Sequence, residues 1–280
     1  MLEAFISAHS LPWLAGLAAA LLATGLVAGL LAGLLGVGGG IVIVPVLFHL
    51  FSLLGVDPSV RMHVAVGTSL ATIVPTSISS ALAHRRRGNL DMALVRRLLP
   101  SVIVGVALGT LASGHLSGQA LTAVFAVVAL AVAAHMAFRR EGSALAHGLP
   151  GRTGTAAIGA GIGGFSTLMG IGGGTLSVPI LSALRVPMHT AVGTAALLGT
   201  VISIPGAIGF VIGGWAAPLR PPGSLGHVNL LGLALIVPAT LLTTGWGVRL
   251  ASRVDGRRLR LWFAFFLTLT ALRMVAGLLA

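Results

Sequence analysis

The sequence predicts an all-α polytopic membrane protein of about ten transmembrane segments, arranged as two inverted five-segment repeats with glycine-rich helix breaks. Three observations lead there: the composition, an internal duplication and the placing of the arginines. Of 280 residues, 56% are hydrophobic and 8% charged, and the mean hydropathy is +1.05. A soluble domain is normally about a quarter charged. Apolar stretches of roughly 20 residues, the length that crosses a bilayer as a helix, recur along the whole chain. The short alternating strands of a β-barrel are missing.

The segments are placed at 11–35, 41–56, 63–83, 98–114 and 119–138, then 153–169, 174–185, 189–214, 227–247 and 260–279. The first is read as a span rather than a signal peptide, because Glu3 and no basic residue precedes its long apolar run. The seventh has about 12 residues, roughly 18 Å against a hydrocarbon core of about 30 Å, so it is a candidate half-helix.

The duplication is read directly. "GVGGGIVIVPVL" at Gly36 returns as "GIGGGTLSVPIL" at Gly170, identical at 7 of 12 positions. "HVAVGT" at His63 meets "HTAVGT" at His189. "PSVIVGVALGTLAS" at Pro100 resembles "PATLLTTGWGVRLAS" at Pro238, and Leu121–Met136 resembles Leu259–Met274. The offsets are 134, 126, 138 and 138. Residues 1–140 form the first repeat, 139–152 a cytoplasmic linker and 153–280 the second repeat. Internal repeats of this kind are common in secondary transporters.

The net charge is +12, all 17 basic residues being arginine. In a soluble protein this balance would suggest nucleic acid. Here the arginines sit in short loops, so no nucleic-acid partner is expected and the charge reports topology. With five segments per half, 14 of the 17 fall on one side, in 84–97, 139–152, 249–260 and at Arg185. Basic loops stay in the cytoplasm, which puts both termini outside. An odd number of segments per half inverts the second half. The chain has no cysteine, so thiol chemistry and thiolate metal sites are excluded, and no cofactor or metal is expected.

The glycine loops are not nucleotide loops. The phosphate-binding G-x-x-x-x-G-K-[ST] needs a lysine, and the chain has none. Each loop interrupts the helical pattern and opens a short helix. In a bilayer such backbone survives only inside protein or along a wet cavity. A helix N-terminus offers free N–H donors and partial positive charge, and glycine keeps side chains out of the way. Gly36, Gly38, Gly39 and Gly40, with Gly170, Gly172, Gly173 and Gly174, are therefore candidate ligands of an oxyanion held near the midplane. Close helix packing is the competing use of these glycines. A valine at Gly39 or Gly173 is expected to block the anion while leaving the fold intact. Pro45 and Pro179 lie at matching positions and loosen the second turn of each short helix.

In the second motif, His63 and His189 are the histidines at equivalent positions, and histidine titrates near neutrality. They are candidates for proton coupling or binding, against an interfacial role beside Arg61 and Pro187. Thr68 and Thr194 are candidate hydroxyl donors. Glu3, Asp57, Asp91, Glu141 and Asp255 all fall in termini or loops. Arg273 corresponds to His135 and is read as snorkelling to the interface. Ser69, Thr76, Ser77 and Ser80 line one segment and are read as bonding along their helix.

The paired glycine loops, each followed by H-x-A-V-G-T, resemble the TauE/SafE sulfite exporter family over about residues 20–275. The resemblance implies an inner-membrane carrier for small sulfur-containing anions such as sulfite or organosulfonates. An enzyme is not expected: there is no H-E-x-x-H and no carboxylate inside a span, and Ser166 lacks any visible base. An anion channel or uncoupled pore of the same fold is the alternative. The expected partners are the small anion and the lipid bilayer, and a homo-oligomer is left open.

Overall fold

The structure is a computed structural model that describes residues 10–36, 38–138, 150–251 and 256–279. The interhelical linker expected at 139–152 thus lies mostly outside the described residues, as does Val37. The helices are α1 (Leu11–Leu35), α2 (Gly40–Leu53), α3 (Pro58–Arg85), α4 (Met92–His115) and α5 (Gly118–Phe138), then α6 (Arg152–Met169), α7 (Gly174–Ala183), α8 (Met188–Gly213), α9 (Leu230–Ala251) and α10 (Gly256–Leu279). Among the described residues, six of them, α1, α3, α4, α5, α8 and α9, are long and apolar enough to cross a membrane. With 14 and 10 residues, α2 and α7 reach only about 21 and 15 Å.

Local chemistry sets the boundaries. Gly36 and Gly170 end α1 and α6 in the left-handed region, with φ of 65° at each. Only glycine takes that conformation without cost. Asp57 caps α3, accepting the Ser59 N–H at 2.9 Å. Asp91 caps α4, accepting the Leu94 N–H at 3.0 Å, which starts that helix six residues before the position expected from hydropathy. The ninth segment begins at Leu230, not 227, because residues 224–229 close a small hairpin: strand β1 (Ser224–Leu225) pairs antiparallel with β2 (Val228–Asn229).

The contacts between helices come in matched pairs. The two most extensive are α1 against α9 and α4 against α6. In each, the first helix of one half packs on the fourth helix of the other. Small residues make this approach possible. On α1, Gly25, Gly29 and Gly33 face the backbone of Ile236, Thr240 and Thr244 of α9. On α4 and α6, Gly105 faces Ala160, Gly109 faces Gly164 and Gly163 faces Val102. The third helices, α3 and α8, pack on each other, as do the fifth helices, α5 and α10. The centre is therefore built from α3, α8 and the two short helices.

Candidate functional site

The face of α3 turned to this centre is polar. Thr68, Ser69, Thr72, Thr76, Ser77 and Ser80 are all fully buried there. Some of these hydroxyls bond along their own helix, as the spacing predicts: Thr72 donates to Ser69 O and Thr76 to Thr72 O. Several also reach across the molecule. Ser69 donates to the Gly170 carbonyl at 2.6 Å, Thr76 Oγ1 lies 3.0 Å from Thr240 Oγ1, and Ser77 Oγ lies 3.0 Å from Thr200 Oγ1.

The two glycine loops meet. A Cβ on Gly40 would strike the Gly170 carbonyl and come 2.8 Å from Ile171 Cα. Each loop also rests on the H-x-A-V-G-T helix of the other half, at its valine. Gly36 faces Val192 O, and a Cβ on Gly170 would lie 2.9 Å from Val66 Cα. The two repeated motifs are thus partners across the halves. Gly36, Gly38, Gly39 and Gly40 are buried, as are Gly170, Gly172, Gly173 and Gly174. Gly38, Gly39 and Gly172 also have positive φ, but Gly173 is right-handed at −71°.

What surrounds these glycines is mostly backbone. A Cβ on Gly39 would lie 2.8 Å from Ala28 O, and one on Gly173 would lie 3.0 Å from Gly199 N. A valine at either position strikes a neighbouring helix, so it perturbs packing whether or not an anion binds nearby. The expectation of a folded, merely blocked variant is corrected on that ground.

The loops differ in their surroundings. A Cβ on Gly38 would lie 2.8 Å from Ile73 Cγ2, and one on Gly40 would lie 2.7 Å from Ile73 Cδ1. At the equivalent place in the other half stands Gly199, whose Cβ position is 3.4 Å from Ser77 Cβ and 3.7 Å from Gly173 N. Beside the second loop, Ser166, Thr175 and Ser177 are fully buried, and their hydroxyls have no hydrogen-bond partner. Ala32, Ile41 and Ile43 hold the matching positions around the first loop.

Thr68 and Thr194 have an identifiable task. Thr68 Oγ1 accepts the backbone N–H of Asn229 at 2.8 Å, and Thr194 Oγ1 accepts that of Asp91 at 3.3 Å. Asn229 in turn accepts the Gly232 N–H at 2.9 Å, as Asp91 accepts that of Leu94. The preceding glycines let the same segments approach: Gly67 faces His227 O, and Gly193 faces Asn89 O. The G-T of each motif therefore docks the start of the other half's fourth helix. Sequence reading missed the docked segments, "GNLD" at Gly88 and "GHVN" at Gly226. They stand at the offset of 138 already found at Pro100, and Gly88 and Gly226 both have positive φ, 70° and 57°.

The joint makes a direct prediction. Thr68→Val leaves the buried Asn229 N–H without an acceptor, which costs about 1–3 kcal/mol. Thr68→Ser keeps the oxygen and recovers most of that loss. Thermal unfolding of the purified variants separates the two, and equal stability of the valine and serine forms would contradict the joint.

The two motif histidines are not equivalent in space. His63 is 8% exposed and contacts the carbonyls of Ser113 and Leu116 through Nε2, at 3.2 and 3.1 Å. His189 is exposed. The ring facing His63 is His227, with centroids 5.1 Å apart. Arg61 turns back to the Val56 carbonyl, 2.7 Å from Nη2, and its guanidinium lies 5.7 Å from the Phe48 ring centroid. Arg273 is exposed on α10.

Comparison with known proteins adds the family. The chain is 34% identical over 239 residues to a probable membrane transporter protein of Haemophilus influenzae, covering 85% of this chain and 90% of the relative. It is 25% identical over 242 residues to a probable membrane transporter protein of Methanocaldococcus jannaschii, covering 86% and 88%. A probable membrane transporter protein of Bacillus subtilis is 26% identical, with 73% and 77% covered. No solved structure matches. The family model for the sulfite exporter TauE/SafE matches residues 21–274, and with apolar helices, paired glycine breaks and paired docking joints in that same span, this multi-pass membrane protein belongs to the TauE/SafE family.

Proposed function

We propose that the protein is a secondary transporter that moves a small sulfur-containing oxyanion, such as sulfite or an organosulfonate, across the cytoplasmic membrane. The observation that carries this reading is the second glycine loop: three buried hydroxyls without partners, Ser166, Thr175 and Ser177, beside a loop that opens a helix N-terminus. Buried polar groups are normally satisfied. An unpaired hydroxyl costs stability, and an oxyanion supplies the acceptors that would pair these. The first-turn amides of α7 add N–H donors and the positive end of the helix dipole. Gly40 of the first loop braces the second at Gly170 and Ile171, and Gly172, Gly173 and Gly174 keep side chains away from the α7 amides. Thr68 and Thr194 accept from backbone N–H groups and still carry a hydrogen each to donate.

The matched contacts support two repeats of inverted topology around this point. Alternating access follows as the two joints at Thr68 and Thr194, one per half, open in turn. A thermal-shift screen of the purified protein against sulfite, sulfate, thiosulfate and small sulfonates tests the substrate class. A ligand at 100 times its Kd adds about 2.7 kcal/mol of stability. No shift with any sulfur anion would overturn the reading.

The arginine-rich side faces the cytoplasm in this proposal, with both termini outside. The cysteine-free chain accepts single cysteines at will. A cysteine at Ser143 is expected to resist an impermeant thiol reagent in intact cells and to react after permeabilisation. Labelling from outside would reverse the topology.

A further inference from the structure

The joint at Thr68 stacks two imidazoles, His63 and His227, where its counterpart has His189 and Asn89, with His84 as the neighbouring histidine held on the Gly33 carbonyl. His63 sits in the second turn of α3. For Nε2 to contact the carbonyls of Ser113 and Leu116 it must carry a hydrogen, which it donates to them. That leaves Nδ1 as a bare lone pair, and Nδ1 is buried without a partner. His227 lies against this ring, tilted by 36°, and its other side meets the Phe210 ring edge at 6.3 Å. The His227 backbone is itself part of the joint. Its N–H donates to Phe210 O at 3.0 Å, and its carbonyl lies against Gly67. In the other half the same place is held by Asn89, whose N–H donates to His84 O at 3.1 Å. Asparagine does not titrate.

We propose that His227, seated against His63 in this joint, is a proton-binding group, and that its protonation loosens the seat of the hairpin on α3. Seated, the His227 ring is buried between the His63 and Phe210 rings, where a charge is disfavoured. Released, it meets water and takes a proton readily. The groups facing the pair from neighbouring segments are few. Arg220, ahead of the hairpin, acts on His227. Arg61 of α3 is turned to Val56 O. His115 is exposed at the end of α4. Asp57, at the start of α3, is held below its ordinary value by the hydrogen bonds of Ser59.

Burial first, then His63 and Arg220, lowers His227 from 6.5 to about 4. The seated hairpin thus binds fewer protons than the released one between these values. By linkage the seat is firmest above pH 6.5 and weakens as pH falls toward 4. The inference deepens the transporter reading by naming where a proton binds, but its test needs no substrate, so either can fail alone.

The test is amide hydrogen exchange of the full purified chain, corrected for intrinsic rates, at pH 7.5 and 5.0. Amides of 224–229 should exchange about tenfold faster at the lower pH through local opening. His227→Asn, the residue type at the matching position, should cut the response below about twofold, and His227→Gln should do the same. Two independent substitutions guard against one that fails to fold. A wild-type response under about twofold, or a folded variant that keeps the tenfold response, would overturn the site.

Discussion

Gly40→Ala will remove most of the folded protein, although it adds a single methyl group. The backbone facing this position cannot yield cheaply. The new carbon is aimed at the Gly170 carbonyl and at Ile171 Cα, which are backbone, with Ile73 Cδ1 2.7 Å away. Overpacking a tight interior costs about 1–3 kcal/mol and sometimes more, and this site lies where both halves cross. We expect a loss of about 3 kcal/mol, read as a collapsed monodisperse peak on size exclusion and a lowered unfolding temperature. Gly199→Ala is the control. Its Cβ finds 3.4 Å to Ser77 Cβ and sits inside a helix, where alanine is favoured by up to about 1 kcal/mol. It should fold as wild type does. If Gly40→Ala is equally stable, the two glycine loops do not touch.

The contrast shows what was legible in the chain and what was not. Duplicated motifs and hydropathy were enough for ten helices, because long apolar segments and matched Gly-Pro patterns need no knowledge of neighbours. The helix starts at Asp91 and Leu230 were not, since they depend on capping and on a hairpin of two-residue strands. The largest shift concerns the threonines. In sequence, Thr68 and Thr194 look like donors facing a ligand, because a hydroxyl next to glycine carries no sign of its partner. In space each receives an N–H from a segment 103 or more residues away. His63 and His189 show the same limit. Equal sequence positions gave one buried ring and one exposed ring, because the facing residue is His227 in one half and no sequence rule pairs it with His63.

Thr175→Val and Ser177→Ala will lower the affinity for a sulfur oxyanion at least tenfold without destabilising the empty protein. The two effects separate because of the hydroxyls' present state. Both are buried and unpaired. Removing an unpaired polar group relieves its desolvation cost, so a near-isosteric apolar replacement is neutral or stabilising. Valine matches threonine in shape, and Ser177→Ala loses only one oxygen. In the bound state the same hydroxyls would donate to a charged oxygen, and a hydrogen bond to a charged group contributes about 1.5–3 kcal/mol. Loss of one therefore weakens binding roughly 10- to 150-fold. Ser166→Ala is expected to behave likewise. The matched first-loop positions, Ile41 and Ile43, supply the comparison: Ile41→Val and Ile43→Val remove a methyl group each, cost about 0.5–1.5 kcal/mol of stability and leave affinity unchanged. Thermal unfolding with and without sulfite reads both quantities in one experiment. A pattern of unchanged affinity with raised stability would mean that the hydroxyls are buried without a ligand to meet them, and the anion would have to be sought away from the second loop.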